Sequence, residues 1–283
     1  MSKFADIASA YGKFAQTNDW SSVNYGLIYT CNCGWVDLGH LNPNSSRAGI
    51  GAANLWRALR SEGPAVLRAS CTLKASNLLQ VPGVMAAKYL SGCSQDAYMR
   101  FDDGKTGFFL RYRQDHGGYP GRPGSEGQYL VKQGLTDMQK QSIALSIFTE
   151  VSHAFEGFQS GFPGALLTDS GYSAEDLVSN LIGFYIAVGA ITKSAAIEAC
   201  RPVSQATAEN IWTTSGAVGS NKNTSFEPHL FDSGMDDPKA AVCRDECGTA
   251  ARRFPDVFKA IRPATLGRDF LRLGSGPLLL LAN

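Results

Sequence analysis

The sequence lacks a long apolar run, an excess of charge of either sign and any low-complexity tract. Its 26 basic and 25 acidic residues leave a net charge of +1, which excludes a strongly basic surface for nucleic acid. A membrane-spanning helix needs roughly 20 apolar residues, and the segment from Leu278 to Ala282 is far shorter. We therefore predict no nucleic-acid partner and no membrane span.

The first residues lack the apolar run of a signal peptide. Met1 to Asp6 already include an acidic side chain. The sequence predicts a protein that is made in the cytoplasm without a signal peptide and is secreted to a target periplasm by another route.

Histidine is scarce, and the common metal motifs are missing. The chain has 4 histidines and no His-Glu-x-x-His step. A single Glu-x-x-His step joins Glu150 to His153, whereas a di-iron bundle needs two such steps and two further acids. We predict no metal and no cofactor.

The 7 cysteines leave three interpretations open. The first is zinc binding by Cys31-x-Cys33 and Cys243-x3-Cys247, although both spacings differ from the usual two-residue zinc knuckle. Disulfides would form after delivery to an oxidising space, and the third alternative is buried free thiols.

The apolar pattern predicts a fold of the mainly α, α+β class. A length of 283 residues and 44% hydrophobic content favour a single domain over residues 1–283. The helix after Thr136 and the helix after Ser173 are the most apolar, so they form a buried central pair. Other helices are expected at residues 2–16, 46–60, 204–214 and 250–261.

The β structure is expected to be small. Residues 23–30 read as a strand, and Asp103-Gly104 favours a tight turn in a hairpin of residues 96–101 and 106–112. The glycine-rich segment from His116 to Gly127 reads as a loop, which we interpret as a lid over a cleft.

Titratable side chains on the central helix are the first candidates for chemistry. Glu150, His153 and Glu156 step round the helix by about 60° each, so neighbours touch while the outer two diverge. Glu150 lies beside Phe148 and Val151, and burial there would raise its pKa as a general acid requires. The alternative is a surface acid paired on the same helix.

A glycine-flanked turn supplies the second group of candidates. Asp37 and His40 follow the first predicted strand and form either an orienting pair or two metal ligands. The alternative is an Asp that only binds backbone amides. Cys31 is a further candidate, as a thiol nucleophile paired with His40 or His153.

Three more residues are assigned to substrate binding together with His153. Asp176 comes three residues after Ser173, a spacing that also suits a helix cap, and Asn180 is one turn further along. Trp35 lies within the turn segment.

Two segments resemble a little-characterised bacterial family of unknown function. That family has a Gly-Leu-Ile-Tyr-Thr-Cys strand followed by a Gly-aromatic-Ile-Asp-x-x-His turn, and later a Ser-x-x-Glu-Asp-Leu-x-Ser-Asn-Leu-x-Gly helix. The matching positions are 26–31, 34–40, Glu150, Phe162-Pro163 and 173–183. The resemblance implies a site shared by Asp37, His40, Glu150, Asp176 and Asn180, but no reaction. Where the family has a His before the helix Glu, this chain has Thr149, which weakens a metal site.

The chain is also similar to antibacterial toxin effectors of type VI secretion, which face a cognate immunity protein. We predict a lysozyme-like hydrolase of the bacterial cell-wall polymer, peptidoglycan, with Glu150 as general acid and Asp37 or Glu156 as second carboxylate. The alternatives are a peptidoglycan amidase or peptidase that uses Cys31 and His40 or a metal at His40 and Glu150, and a non-enzymatic binding module.

Overall fold

The protein folds into a mainly helical α+β structure. The computed structural model describes residues 2–44, 49–70, 94–115, 123–160, 173–230, 246–248 and 252–279. Within these ranges the helices are α1 (Phe4–Thr17), α2 (Ala52–Ser61), α3 (Asp137–Ser160), α4 (Asp176–Ala187), α5 (Lys193–Cys200) and α6 (Gln205–Ser215). None of them is long and apolar enough to cross a membrane.

The strands of the described ranges form three antiparallel sheets. The strands are β1 (Leu27–Thr30), β2 (Gly34–Asp37), β3 (Leu67–Ser70), β4 (Ser94–Tyr98), β5 (Gly107–Asp115), β6 (Pro123–Lys132) and β7 (Phe270–Leu279). β1 pairs with β2, β3 pairs with β4, and β5, β6 and β7 form a sheet in that order. The β1–β2 register sets Leu27 opposite Asp37.

The two apolar helices form the centre of the core, as predicted. α4 is buried on nearly every side and packs against α3, where the Phe148 and Phe184 rings lie 5.0 Å apart. The three-stranded sheet covers another side of α3, and β2 contacts α4. Each fully buried large apolar side chain contributes about 1.5–3 kcal/mol, so this packing fixes α4 against the β1–β2 hairpin.

The start of α3 is the capping box that the sequence predicts. Gln139 N donates to Thr136 Oγ1 at 3.3 Å, and Thr136 N donates to Gln139 Oε1 at 3.0 Å. Two backbone amides at the helix start are thereby satisfied.

The predicted 96–112 hairpin is wrong in its pairing. The turn at Gly104 forms with a φ of +81°, and Phe101 N donates to Lys105 O at 2.9 Å. However, β4 pairs with β3, and β5 pairs with β6. A local turn signal does not choose between distant partners, because the choice depends on the whole sheet.

The predicted glycine-rich loop is wrong where it meets β6. Residues 123–127 are paired strand, and 116–122 lie outside the described residues. A side chain at Gly127 would overlap the Tyr129 ring, so glycine here makes room for close packing rather than for a loop.

The predicted helix at 250–261 is also wrong. A short 3-10 turn covers Asp256–Lys259, and Pro255 and Pro263 on either side disfavour a longer helix. Helix α5 and strand β7 are further elements that were not predicted from the sequence.

Two disulfides join the β1–β2 turn to distant segments. Cys31 is bonded to Cys247 with Cα atoms 5.3 Å apart, and Cys33 is bonded to Cys200 with Cα atoms 5.2 Å apart. All four sulfurs are in disulfide bonds and cannot act as zinc ligands, so the zinc interpretation of Cys31-x-Cys33 is wrong. Cys71, Cys93 and Cys243 lie outside the described residues.

Candidate functional site

The end of β2 positions the first acid of a pocket. Asp37 Oδ1 accepts hydrogen bonds from Gly39 N at 2.7 Å and His40 N at 3.4 Å, and Ser2 Oγ donates to Asp37 Oδ2 at 3.1 Å. The Asp37 amide donates to Ser179 Oγ of α4 at 2.9 Å. The turn that carries His40 is thus held from both sides.

The start of α4 brings a second acid to His40. Asp176 Oδ2 accepts from Ser173 N at 3.2 Å, which confirms the expected capping contact, while Asp176 Oδ1 lies 3.7 Å from His40 Nδ1. Two turns further on, a Cβ at Gly183 would lie 2.7 Å from His40 O. Glycine at this position therefore allows α4 to approach the His40 backbone.

Two further carboxyls complete the cluster. Glu156 of α3 is 2% exposed, and Glu175 is 0% exposed. Neither carboxyl oxygen of Glu175 has a partner in strict hydrogen-bond geometry within the described part of the chain, although Ser2 is close enough to influence its pKa. A buried carboxyl without firm partners is costly when ionised, so it retains its proton to higher pH.

The charges of the cluster act on one another. Burial alone would lower the pKa of His40, but neighbouring carboxyls outweigh it and raise that pKa above its ordinary value. The carboxyls are those of Asp37, Asp176, Glu175 and Glu156.

Burial also determines how the two acids at the start of α4 titrate. It raises the pKa of Asp176 to about 7, with His40 opposing the shift. Burial first, and the neighbouring Asp176 second, raise the pKa of Glu175 to about 7. Both acids therefore exchange protons near neutral pH.

A solvent-open pocket of about 200 Å³ gives access to this cluster. Asp37, His40 and Asp176 line it, together with Tyr25 and Asp6. Tyr25 OH donates to Asp6 Oδ1 at 2.7 Å, which ties these two side chains together. The pocket can therefore admit a polar group of a substrate to the acids.

Comparison with known proteins found no matching family model, no matching curated protein and no matching solved structure. The chemistry of the pocket is accordingly inferred from its own side chains. Among the residues that the structure describes, no group of three or more His, Cys, Asp or Glu side chains is arranged to hold a metal ion.

The expected position of Glu150 in this pocket is wrong. Glu150 Oε1 lies 3.1 Å from Arg272 Nε of β7, and its charge acts on Tyr129 of β6. Glu150 thus faces the three-stranded sheet, whereas Glu156, about 120° further round α3, faces His40. The metal alternative that joined His40 to Glu150 fails for the same reason.

Trp35 is also misassigned, because it is a core residue. It is 1% exposed and packs edge-on against Tyr29 and Trp212, so it offers no surface to a substrate.

The two remaining substrate-binding assignments stay predictions. His153 is exposed and lies edge-on to Phe226, with ring centroids 4.9 Å apart. Partial desolvation of its ring lowers its pKa. Asn180 is half-buried and shares the face of α4 that carries Asp176 and Gly183.

Cys31 cannot act as the proposed nucleophile, because its sulfur is bonded to Cys247. Conversely, sequence reasoning missed Glu175 and Ser2. Glu175 lies directly beside Asp176 in sequence, so a pair of adjacent acids at the start of a buried helix was the available signal.

Proposed function

We propose that the pocket of Asp37, His40 and Asp176 is the active site of a hydrolase that cleaves a bacterial cell-wall glycan. The observation that carries this proposal is an almost buried acid, Asp176, that lines an open pocket and has its pKa raised to about 7 by burial. A general acid works best when its pKa is close to the working pH.

Asp176 takes the role that the sequence analysis gave to Glu150. It donates its proton to the glycosidic oxygen while the bond from the sugar carbon to that oxygen breaks. The imidazolium of His40, with Nδ1 at 3.7 Å, stabilises the carboxylate that remains.

Asp37 is the second carboxylate. It accepts the proton of the water that attacks the sugar carbon, and its bonds to Gly39 N and Ser2 Oγ fix its orientation. Glycoside hydrolysis requires two carboxyls with different surroundings, and Asp37 and Asp176 line the same pocket.

The cell wall as substrate is supported by the two disulfides. Disulfides persist in oxidising compartments such as the bacterial periplasm, where peptidoglycan lies. This agrees with the predicted delivery to a target periplasm and with an immunity protein as partner, both of which remain proposals.

The test is export of the chain to the periplasm of a bacterium, followed by incubation of purified protein with peptidoglycan. Wild type is expected to cause lysis and to release muropeptides with new sugar ends. Asp176→Asn, which keeps the shape of the side chain, is expected to lower the rate by about 10²–10⁴-fold.

Glu150→Gln is the matched control, since it removes an acid of the same central core but outside the pocket. It is expected to retain wild-type activity. Full activity of a folded Asp176→Asn protein would refute the acid assignment. Release of free peptides instead of glycan ends would favour the amidase alternative, and absence of any product a binding module.

A further inference from the structure

A second pocket, of about 360 Å³, lies on the other side of the turn that carries His40. Leu41 and Asn42 of that turn line it, together with Asn24, Lys193 and the last residues of α4. Because His40 and Leu41 are adjacent in sequence, one turn forms a wall of both pockets. A ligand group held in the second pocket would therefore lie close to the proposed active site.

Lys193 brings a positive charge to this pocket, and the carboxylate of Asp19 acts on it only from beyond ion-pair distance. Its Nζ donates to Val23 O at 2.6 Å and to Asn24 Oδ1 at 2.9 Å, which uses two of its three N–H donors. No carboxylate of the described residues pairs with it within ion-pair distance. A partly buried cation with one spare donor favours an anion.

The neighbouring amides also present donors. Asn24 Oδ1 is already used by Lys193, and Asn42 Oδ1 accepts from Asn44 N at 3.2 Å. The Lys193 ammonium and the Asn44 backbone N–H can only donate hydrogen bonds. The amide atom that each of them contacts must therefore be the side-chain oxygen of Asn24 or Asn42. Among the residues that the structure describes, the NH₂ groups of Asn24 and Asn42 donate no hydrogen bond, so they are available to a ligand that supplies acceptors.

Apart from Asn44, the other residues that line the pocket are apolar. Leu41, Ile186 and Ala187 line it beside the polar groups. A ligand that matches both parts carries a charged acceptor group on a short apolar substituent. A carboxylate fits better than a phosphate dianion, because the pocket holds one cation and neutral amide donors.

The geometry points to a binding subsite for a carboxylate carried on a short acyl or amino-acid chain, held by Lys193, Asn24 and Asn42. This extends the proposed function, since the peptide side chains of the cell-wall polymer end in such carboxylates. The subsite would position the polymer while the neighbouring pocket cleaves it.

Direct binding to the full chain tests the subsite without turnover. N-acetylalanine and its methyl ester are each titrated into the protein, and NMR or calorimetry measures the two affinities. Wild type is expected to bind the acid saturably and at least about tenfold more tightly than the ester. Lys193→Met is expected to lose about tenfold or more, while Lys13→Met, a change at an exposed lysine, leaves the affinity unchanged.

Asn42→Asp is the second variant, because it keeps the oxygen that Asn44 uses and replaces the donor by a negative oxygen. It is expected to abolish binding even if Lys193→Met does not fold. Equal affinity for acid and ester, or wild-type affinity in Asn42→Asp, would overturn the subsite. Asp176→Asn is expected to bind normally, so the failure of the subsite and the failure of the hydrolase proposal give different results.

Discussion

Two regions of the molecule bury charge in opposite ways. Lys132 of β6 is buried, and its Nζ lies 3.1 Å from Asp103 Oδ2 and 3.0 Å from Asp269 Oδ1. Desolvation opposes the charges there, but the pairing overcomes it, so the pKa of Asp103 is lowered and that of Lys132 is raised. At the start of α4 desolvation dominates, and the pKa values of Glu175 and Asp176 are raised.

The difference separates structural charge from reactive charge. A paired ion keeps its charge across the whole working pH range and stabilises one arrangement of the chain. A carboxyl that burial brings to a pKa near 7 can exchange its proton at neutral pH, which is the property of an acid–base catalyst. Buried charge alone therefore does not mark a site, whereas buried charge that lacks compensation does.

The largest effect is expected where the paired charge is broken. Lys132→Met leaves Asp269 with only the exposed Arg268, 3.9 Å away, as a cation. The free energy of unfolding should therefore fall by about 3 kcal/mol. Activity per folded molecule should stay at the wild-type level. Urea denaturation measures the change, with Lys259→Met as control, because its exposed pair with Glu227 contributes less than about 1 kcal/mol. Equal losses of stability in Lys132→Met and Lys259→Met would show that the buried ion pair contributes no more than an exposed one.

At the start of α4, removal of the charge is expected to raise the free energy of unfolding instead of lowering it. The folded protein binds the Glu175 proton up to about pH 7, and the ordinary pKa of a Glu is 4.5. Stability from this group is thus present below the ordinary pKa and is lost as pH rises through the folded value. Glu175→Gln should raise the free energy of unfolding by about 2 kcal/mol at pH 8.

The same variant should give no gain at pH 4, where wild-type Glu175 is protonated in both states. Denaturation curves at the two pH values test this dependence. A gain of equal size at both would show that Glu175 is a packing residue and not a strained acid.

A smaller effect is expected where α4 meets the His40 backbone. Gly183→Ala would place its Cβ 2.7 Å from His40 O, and the required shift should cost about 1–2 kcal/mol and lower activity. Gly12→Ala is the control, because Gly12 of α1 has no atom near its Cβ position. That change should stabilise the fold by about 0.5–1 kcal/mol. Thermal unfolding and activity assays measure both variants. If Gly183→Ala were the more stable and active of the two, α4 would not approach the His40 backbone closely.

The smallest effect is expected at Glu150. Its pair with Arg272 is partly exposed, with side-chain exposures of 31% and 45%, so Glu150→Gln should change stability by less than about 1 kcal/mol. Differential scanning calorimetry provides the measurement. A loss above about 2 kcal/mol would mean that this pair resembles the one at Lys132.

The sequence located the Asp37–His40 turn and the start of α4, because turn glycines and cap spacing are local signals. It chose the wrong acid on α3. Glu150 has apolar neighbours along the chain, but the spacing of six residues to Glu156 turns the two side chains about 120° apart. Which of them meets His40 depends on the packing of α3 between the sheet and α4.

The strand pairing and the cysteine pairing were likewise beyond local reasoning. Seven cysteines allow many combinations, and 216 residues separate Cys31 from Cys247. The partners are chosen by the fold that brings the β1–β2 turn to the end of α5.

By itself the sequence determined the mainly helical class, the buried helix pair and the capping contacts at Thr136 and Asp176, since periodicity and caps act over a few residues. The tertiary structure alone decided that Glu175 and Asp176 titrate near neutral pH. Desolvation and charge act through space, so a pKa depends on segments that the chain order keeps far apart.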